Sequence, residues 1–560
     1  MPTITPSRQA RRGLTRALLP ALAPALAGTA LSALAQTAVV PNAGDVLRQN
    51  QPAPTPALPS ATPPRLLDLP VRPTLALPQG VTVQVERFRI SGAVSFADDE
   101  LQAVVKPWLG RRLDLRALNE AASAITRLYQ SRGHLLSYAY LPAQRVEGGE
   151  VELAVLEGKL EAVQIVTAQD VRLRDRVVQA LTDRLVGPVP VLQADVERQM
   201  LLLNDIAGVT ARAAFTPGAA TGGAEMIVSV TEDDPLELKA DLSNHGAIST
   251  GQYRVGVSLQ LRDALGWGEQ ITARGLISNR GSLTSGALGA SVPVGGEGWR
   301  VGATVSRLTY ELAASFKGLG AGTANSVALD AAFPLRRTPD HNVGLKAAFE
   351  HRQLTDRIGV IDILTPPRRN DSVDLGLSFD LRDTVGGSSA GSLTATMGNL
   401  RTGDTARRDW RRLAVQAARQ QALWGPVSLY LRLAAQTGSN LDSADKMGLA
   451  GPSAVRAYAP GEASVDHGHV VSAELRHALA FMGGSLVTSV FHDSARGEVV
   501  RRARELPGSQ PELKASGLGL GWQAEGYAVQ ASLAWRGSRT PTTDTRDPKP
   551  RLYVQLSVTP

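Results

Sequence analysis

The sequence predicts a transmembrane antiparallel β-barrel of about 16 strands, preceded by two small α/β domains of one type. Three observations lead to this fold class. Residues 234–560 are rich in glycine and alternate between apolar and polar side chains with a period of two residues. Residues 81–233 repeat one order of predicted elements: strand, helix, helix, strand, strand. After the N-terminal leader, no uninterrupted apolar run approaches the roughly 18 residues of a membrane helix, so only a closed barrel could span a membrane.

The first 35 residues have the pattern of an export signal peptide. Arginines at Arg8, Arg11, Arg12 and Arg16, with no acidic residue among them, precede an apolar run over residues 18–34. Ser32-Ala-Leu-Ala35 then provides the small side chains of a cleavage site, so we expect the mature chain to begin at Gln36. An uncleaved anchor helix is the alternative, but Pro20, Pro24 and Gly28 interrupt the run.

The composition argues against several classes of function. Loss of the leader arginines lowers the formal net charge from +7 to about +3, and no basic run elsewhere suggests a phosphate track, so no nucleic-acid partner is expected. The chain has no cysteine, which excludes disulfides and thiolate chemistry, and its 8 histidines show no metal-ligand spacing. We therefore predict no metal and no cofactor. The aromatic content of 4% is low for a barrel with aromatic girdles.

Residues 36–80 form a proline-rich linker. So many fixed φ angles and missing donors cannot build a packed element, and the stretch is interpreted as extended. Only residues 42–50 could hold a short helix. Whether this helix plugs a pore or is a frayed terminus is left open by the sequence.

The two repeat units occupy residues 81–158 and 159–233. In the first unit, predicted strands at 81–90, 135–141 and 150–156 flank predicted helices at 98–105 and 115–130. In the second unit, strands at 160–166, 209–215 and 225–230 flank helices at 171–185 and 194–204. The shared order predicts tandem domains of one type.

Residues 234–560 carry the barrel pattern. Within 254–262, four aliphatic side chains share one face, and arginine, serine and glutamine occupy the other. The alternation recurs at 372–382, 427–433 and 552–558. A water-soluble sandwich could use one such strand, but long strands with charges on one face and aliphatics on the other are typical of a lipid-facing wall around a polar lumen.

One loop and one strand motif carry the candidate functional residues. The loop begins at Gly451 and contains Val455, Arg456 and Tyr458, and the strand motif is Phe491-His-Asp493. A turn-rich loop with one arginine among apolar neighbours indicates a basic side chain inserted into the barrel interior. A carboxylate on a nearby strand would pair with the guanidinium through two hydrogen bonds and hold the loop in place.

These motifs resemble the VRGY-type loop and the F-x-D strand of two-partner secretion (type V) transporters, the haemolysin and filamentous-haemagglutinin secretion-activation family. Ala457 stands where that family usually has glycine. The repeat units resemble polypeptide-transport-associated (POTRA) domains, most specifically over residues 133–142 and 155–158. The turn at residues 264–270 resembles the family's first barrel turn, with Trp267 and Glu269 as variants.

The resemblance implies an outer-membrane pore with its POTRA-type domains in the periplasm. Such a pore recognises an unfolded exoprotein, a haemagglutinin- or haemolysin-like passenger, and secretes it to the cell surface. The implied partners are this passenger, the lipid bilayer of the outer membrane, and the barrel-assembly machinery during insertion. The family also implies an N-terminal helix that occupies the pore at rest.

Three alternatives remain at this stage. An outer-membrane insertase of the same superfamily is the nearest, but those proteins commonly carry more repeat domains. A passive porin has no use for periplasmic repeat domains. An envelope enzyme needs a catalytic constellation, and the acidic clusters at 98–100 and 232–234 fall at predicted element boundaries, where solvated charges are expected.

Overall fold

The computed structural model describes residues 40–51, 56–59, 67–68, 82–359, 363–404, 406–499, 510–538 and 548–560. The signal peptide expected at 1–35 and most of the linker expected at 36–80 lie outside the described residues. None of the helices in the described ranges is both long and apolar enough to cross a membrane.

The first repeat domain has one helical layer on a small sheet. Helix α1 (Ala43–Asn50) and strand β1 (Leu67–Asp68) precede this domain in the chain. The domain itself comprises β2 (Thr82–Val85), β3 (Arg87–Ser91), α2 (Asp98–Val105), β4 (Arg111–Asp114), α3 (Leu115–Ser131), β5 (Tyr138–Tyr140) and β6 (Glu150–Leu156). Strand β6 is central: it pairs in parallel with β3 and antiparallel with β5. The apolar faces of α2 and α3 cover this sheet. The order of elements departs from the prediction in one place: strand β4, which pairs with β2, lies between the two helices and was not predicted.

The Glu-Gly pair after β6 has a structural role in this domain. Glu157 accepts hydrogen bonds from the backbone N–H groups of Val94 and Ser95 at 2.8 and 2.7 Å and from the Tyr129 hydroxyl at 2.8 Å. These bonds hold the pKa of Glu157 below its ordinary value despite burial, which acts in the opposite direction. Gly158 has no room for a side chain, because a Cβ there would lie 2.3 Å from the Cβ of Leu136.

The second repeat domain comprises β7 (Lys159–Thr167), α4 (Asp175–Thr182), α5 (Gln193–Asn204), β8 (Val209–Pro217) and β9 (Gly223–Glu232). Its sheet has the order β1-β8-β9-β7. The two-residue strand β1 comes from the linker and pairs in parallel with the edge of β8, with Leu67 opposite Ala213 and Asp68 opposite Ala214. The extended conformation agrees with the prediction for the linker, but the pairing of this segment with β8 was not predicted.

The rest of the chain forms a closed barrel of 16 principal strands, which confirms the predicted fold class. They are β10 (Leu236–Ser243), β11 (Arg254–Arg262), β12 (Gln270–Ser278), β13 (Leu283–Val294), β14 (Trp299–Glu311), β15 (Gly320–Arg337), β16 (His341–Ile358), β18 (Arg368–Arg382), β19 (Gly387–Thr402), β20 (Ala406–Trp424), β21 (Val427–Ser439), β24 (His467–Phe481), β25 (Gly484–Glu498), β26 (Glu512–Ala524), β27 (Tyr527–Arg536) and β28 (Arg551–Val558). Three two-residue strands complete the described chain: β17 (Ile363–Leu364), β22 (Met447–Gly448) and β23 (Ser464–Val465).

Neighbouring barrel strands pair antiparallel, and β10 closes the wall against β28 from Ala240 opposite Val558 to Ser243 opposite Gln555. Alternation along each strand sends aliphatic side chains to the outer wall and small, polar or charged ones to the lumen. We call the rim at which β10 begins the near rim, since the second repeat domain packs there, and the opposite rim the far rim.

Candidate functional site in the barrel lumen

The loop between β21 and β24, residues 440–466, folds into the lumen from the far rim. Strands β22 and β23 pair with each other within it, which gives the loop a stem of its own. Gly451 adopts φ +118, a backbone conformation that glycine tolerates and other residues rarely adopt, where the chain turns before Val455. Val455 and Tyr458 are fully buried against strands β24 to β27. The loop therefore packs on the wall as a structured element.

Arg456 projects from this loop onto Asp493 of β25. Its Nε donates to Asp493 Oδ2 at 2.8 Å and its Nη2 donates to Oδ1 at 2.7 Å, while the Arg456 backbone N–H donates to Oδ2 at 3.2 Å. The Asp493 side chain has 0% exposure and that of Arg456 has 13%. A bidentate pair removed from water is strong only when nearly all its polar atoms are satisfied, and this geometry satisfies them.

Three further side chains complete the anchor, and sequence reasoning missed two of them. Glu474 accepts from Arg456 Nη1 at 2.7 Å, and Ser472 accepts from Nη2 at 3.1 Å while donating to Asp493. Phe491, which the strand motif did include, lies with its ring centroid 3.3 Å from the Arg456 guanidinium carbon. Ser472 and Glu474 share the inward face of β24, two residues apart, but no motif marks them.

Tyr458 ties the loop to the last strands. Its hydroxyl lies 2.6 Å from the Ser538 hydroxyl, and its carbonyl accepts from the Tyr553 hydroxyl at 2.7 Å. The Arg536 guanidinium stacks over its ring at 4.9 Å. Residues of β24, β25, β27 and β28 therefore all contact one loop. Ala457, at the position where the resembled family has glycine, is buried.

Helix α1 lies inside the barrel beside this loop. Asn42 caps the helix by accepting from the backbone N–H groups of Gly44 and Asp45. The same side-chain oxygen accepts from Ser443 Oγ at 2.6 Å and from Arg368 Nη2 at 3.1 Å. A Cβ at Gly44 would lie 2.2 Å from Ser443 Oγ, so helix and loop meet at the closest separation that glycine allows.

The apolar face of α1 packs on inward-facing wall residues. Ala43, Val46 and Leu47 form one cluster with Leu283, Leu308, Tyr310, Leu312, Ala324, Leu354 and Ala444. Because these partners come from β13 to β16 and from the lumen loop, the short helix of the linker occupies the lumen.

Arginines of the lumen wall pair with carboxylates of the loop. Arg368 contacts Asp442 and lies 3.0 Å from Asp356, and Arg352 lies 3.2 Å from Asp445. These side chains are largely buried, so each charge has its partner where water is scarce.

The second repeat domain meets the barrel at the turn between β11 and β12. Arg172 pairs with Glu232 at 2.9 Å, and the Glu232 side chain is only 4% exposed. The prediction of solvated charges at 232–234 is therefore wrong for Glu232, which the junction buries. Its neighbour Asp263 accepts from the Gly268 backbone N–H at 2.7 Å. Burial, and secondarily the adjacent Glu232, raise the pKa of Asp263 to about 7.

Trp267, a variant position of the same turn, stacks against this domain. The guanidinium carbons of Arg174 and Arg176 lie 4.5 and 3.4 Å from its ring centroid. The Arg174 backbone N–H also donates to the Gly266 carbonyl at 3.1 Å. The turn is thus fixed to the repeat domain by both side-chain and backbone contacts. Among the residues that the structure describes, no group of three or more His, Asp or Glu side chains could hold a metal ion.

A closed barrel with a wall-anchored lumen loop and small α/β domains on one rim defines an outer-membrane β-barrel protein with periplasmic repeat domains. The family profile described as "Haemolysin secretion/activation protein ShlB/FhaC/HecB" matches residues 222–523, more than half of the chain. The profile "POTRA domain, ShlB-type" matches residues 83–158. The chain belongs to the haemolysin secretion/activation family, and the resemblance identified in the sequence is confirmed.

Curated relatives agree with this assignment. The chain is similar to the heme/hemopexin transporter protein HuxB of Haemophilus influenzae strain 86-028NP, with 27% identity over 455 residues, 78% of this chain and 80% of the relative. It is also similar to the outer membrane transporter CdiB of Escherichia coli O6:K15:H31, with 24% identity over 426 residues, 72% of this chain and 71% of the relative.

Solved structures share the fold. CdiB from Escherichia coli superposes with a TM-score of 0.68 at 20% identity, over 96% of this chain and 99% of that chain. BamA from Haemophilus ducreyi superposes with a TM-score of 0.52 at 12% identity, over 86% of this chain and 100% of that chain. This second likeness shows a common fold and does not favour the insertase alternative, whereas the family match identifies a transporter. The protein secretes an exoprotein through an outer-membrane barrel, with its repeat domains in the periplasm.

Proposed function

We propose that the two repeat domains bind the exoprotein as an extended segment, that helix α1 closes the lumen at rest, and that the loop bearing Arg456 stays anchored to the wall during export. The passenger expected is a large haemagglutinin- or haemolysin-like protein that reaches the periplasm unfolded. In this proposal the barrel-assembly machinery inserts the barrel before any export takes place.

The pairing of β1 with β8 carries this proposal. The edge of β8 accepts an extended segment that is remote in sequence and binds it through backbone hydrogen bonds, with two residues in register. Recognition of this kind is β-augmentation, and it selects extension more than sequence. An unfolded exoprotein presents many segments that meet this requirement.

The linker strand is a weak occupant of the β8 edge. It has two residues in register, whereas β8 itself is a nine-residue strand, Val209–Pro217. A longer exoprotein segment would make more backbone hydrogen bonds along the same edge and would displace the linker. Displacement would also release the tether that connects α1 to the repeat domains, so passenger binding and lumen opening are coupled in this proposal.

Within the lumen, α1 and the loop differ in how firmly they are held. Helix α1 is held by apolar contacts and hydrogen bonds, with Ser443 of the loop among its partners. The loop is held by the buried Arg456–Asp493 pair and by Tyr458. Moving the loop would leave buried charges without partners, which is costly, so the helix is the element that leaves. Val455, Arg456, Tyr458 and Gly451 then act with Phe491 and Asp493 to keep the loop against the wall.

A reversible disulfide tests the role of the β8 edge. Asp68 and Ala214 are Cα partners, and the native chain has no cysteine, so Asp68→Cys with Ala214→Cys would join the linker strand to β8 without competing thiols. Secretion of the passenger by cells carrying the double variant is expected to fall at least about tenfold under oxidation and to recover with reductant. Each single-cysteine variant is the matched control and should secrete normally in both conditions.

Normal secretion with the disulfide fully formed would refute the proposed edge. That outcome would leave the transporter assignment intact, because the assignment rests on the family match. Loss of secretion in the single-cysteine controls would show that the substitutions themselves disturb the domain. A disulfide between cysteines introduced at Leu67 and Ala213, the other register pair, would then replace this one.

A further inference from the structure

The outer wall near the far rim carries a row of arginines. Arg369 of β18 is the register partner of Arg401 of β19, and Arg401 is the partner of Arg407 of β20. Their neighbours in sequence face the lumen: Arg368 pairs with Asp442 there, for example. Because strand side chains alternate, the three arginines point outward, and all three are exposed.

This arrangement places like charges opposite one another on adjacent strands, where Cβ atoms lie about 4.5–5.5 Å apart and repulsion is destabilising. No described residue forms a hydrogen bond or ion pair with the guanidinium group of Arg369 or Arg407. Arg401 has its nearest carboxylate, Asp371, 3.9 Å away, and a 3.3 Å bond to Asn399. In contrast, the lumen arginines Arg352, Arg368 and Arg456 each lie against a carboxylate. The outward row of three arginines therefore has one long ion pair, Arg401–Asp371, and carries more positive charge than this pair neutralises.

The wall changes character going down from this row toward the membrane centre. The next outward row is polar, with His351 hydrogen-bonded to Asp371 and Asn399 to Asp409. A groove of about 680 Å³ runs from this polar row onto the apolar wall. Its lower lining is Phe349, Val373 and Met397, and Arg411 flanks it on β20. The same face thus offers cationic groups at the rim and apolar surface directly below.

We infer that this face binds a phosphorylated, acylated lipid of the outer leaflet. Guanidinium groups bind phosphate oxygens through paired hydrogen bonds, so the phosphates of the head group would neutralise Arg369, Arg401 and Arg407. An acyl chain would then lie in the groove on Phe349 and Met397. The far rim is the cell-surface rim, because the repeat domains at the near rim are periplasmic. A free anion or an acidic protein would use the arginines but would leave the groove without a role.

Binding to the purified full-length protein in detergent tests the inference. The probes are bisphosphorylated lipid A, the same lipid without its phosphates, its deacylated head group, and inorganic phosphate. Native mass spectrometry and thermal stabilisation are expected to show tight binding of bisphosphorylated lipid A and at least about tenfold weaker binding of each of the other three. Equal stabilisation by inorganic phosphate or by the deacylated head group would overturn the lipid assignment.

Variants locate the site. Arg369→Gln with Arg401→Gln and Arg407→Gln is expected to weaken lipid A binding at least about tenfold, while the lipid-free barrel becomes no less stable because repulsion is removed. The matched control is Arg496→Gln, since Arg496 also faces outward near the far rim but lies opposite Glu512 in register. Unchanged lipid binding by the triple variant, or an equal loss in the control, would overturn the proposed site. Capture of an acidic protein in place of lipid would do the same.

Discussion

The Arg456–Asp493 anchor gives the sharpest quantitative expectation. Removing one member of a buried, hydrogen-bonded ion pair costs about 3–5 kcal/mol, because the other charge remains buried without its partner. In Asp493→Ala, the guanidinium keeps Glu474 at 2.7 Å and Ser472 at 3.1 Å, so the cost lies near the lower end. In Arg456→Ala, Asp493 stays fully buried and charged, with only the Ser472 hydroxyl and the backbone N–H of residue 456 as remaining donors, so the cost lies near the upper end.

The double variant separates pair energy from general damage. Removing both charges leaves no stranded group at Asp493, so the double variant is expected to cost less than the sum of the single variants by about 2–3 kcal/mol. Glu474 retains its ion pair with Arg476, at 2.7 Å, in all of these variants. The Glu474 carboxylate is therefore never left without a partner, and it does not affect the comparison of unfolding costs. Arg456→Lys is the control that retains the charge and loses the bidentate geometry, and it is expected to fall between wild type and Arg456→Ala.

Urea unfolding of the purified barrel measures these free energies. Release of the loop is followed separately by introducing Ala457→Cys into each variant, because residue 457 is buried and the native chain has no cysteine. The rate at which a thiol reagent modifies this cysteine should be highest in the variant with the largest unfolding cost. Secretion is expected to fall in both single variants while the amount of inserted barrel stays normal. If the unfolding cost of the double variant equals the sum of the two single costs to within about 0.5 kcal/mol, the anchoring role is refuted. Normal secretion by both single variants would refute it as well.

Three further expectations follow from other contacts. Gly44→Ala drives a Cβ into Ser443 and should raise the open probability of the pore in planar bilayers at least about tenfold, whereas Gly448→Ala, where a Cβ meets nothing within 4 Å, should not. Asp263 keeps its proton up to about pH 7 in the folded state, whereas an unfolded Asp loses it near pH 4, so stability from this group is lost as the pH rises from about 4 through about 7, and Asp263→Asn should flatten the melting profile over that range. Trp267→Ala removes two cation–π contacts and should weaken docking of the second repeat domain by about 1–2 kcal/mol, seen as faster hydrogen exchange in that turn.

Period-two alternation, together with the repeat units and the lack of an apolar run long enough for a membrane helix after the leader, predicted the barrel, because lipid on one side and water on the other impose the same pattern on every strand. Helices α2 and α3 begin at the predicted residues, Asp98 and Leu115. In the first repeat domain, the predicted strand at 81–90 is split into β2 and β3 around Glu86. Local pattern cannot show such a break, since the two pieces pair with different partners.

The contacts of the site were less accessible to sequence reasoning. Arg456 and Asp493 could be chosen because a lone charge among apolar residues needs a partner. Ser472 and Glu474 look like ordinary inward-facing residues of an alternating strand, and their part in the anchor depends on barrel register. Leu67 and Asp68 lie in a proline-rich stretch without any strand pattern. Their pairing with β8 comes from tertiary placement alone.

The internal pairing of α1 determines what its departure leaves behind. Asp45 and Arg48 form their own ion pair at 3.1 Å within the helix, so the helix leaves as an electroneutral body. On the wall, Arg368 keeps Asp442 and Asp356 whether or not Asn42 is present. Departure of the helix still separates Arg48 from the nearby carboxylates of Asp442 and Asp445 and removes the Ala43 backbone N–H from Asp356. These contacts are buried and therefore weakly screened, so the resting equilibrium of the pore is expected to depend only modestly on ionic strength.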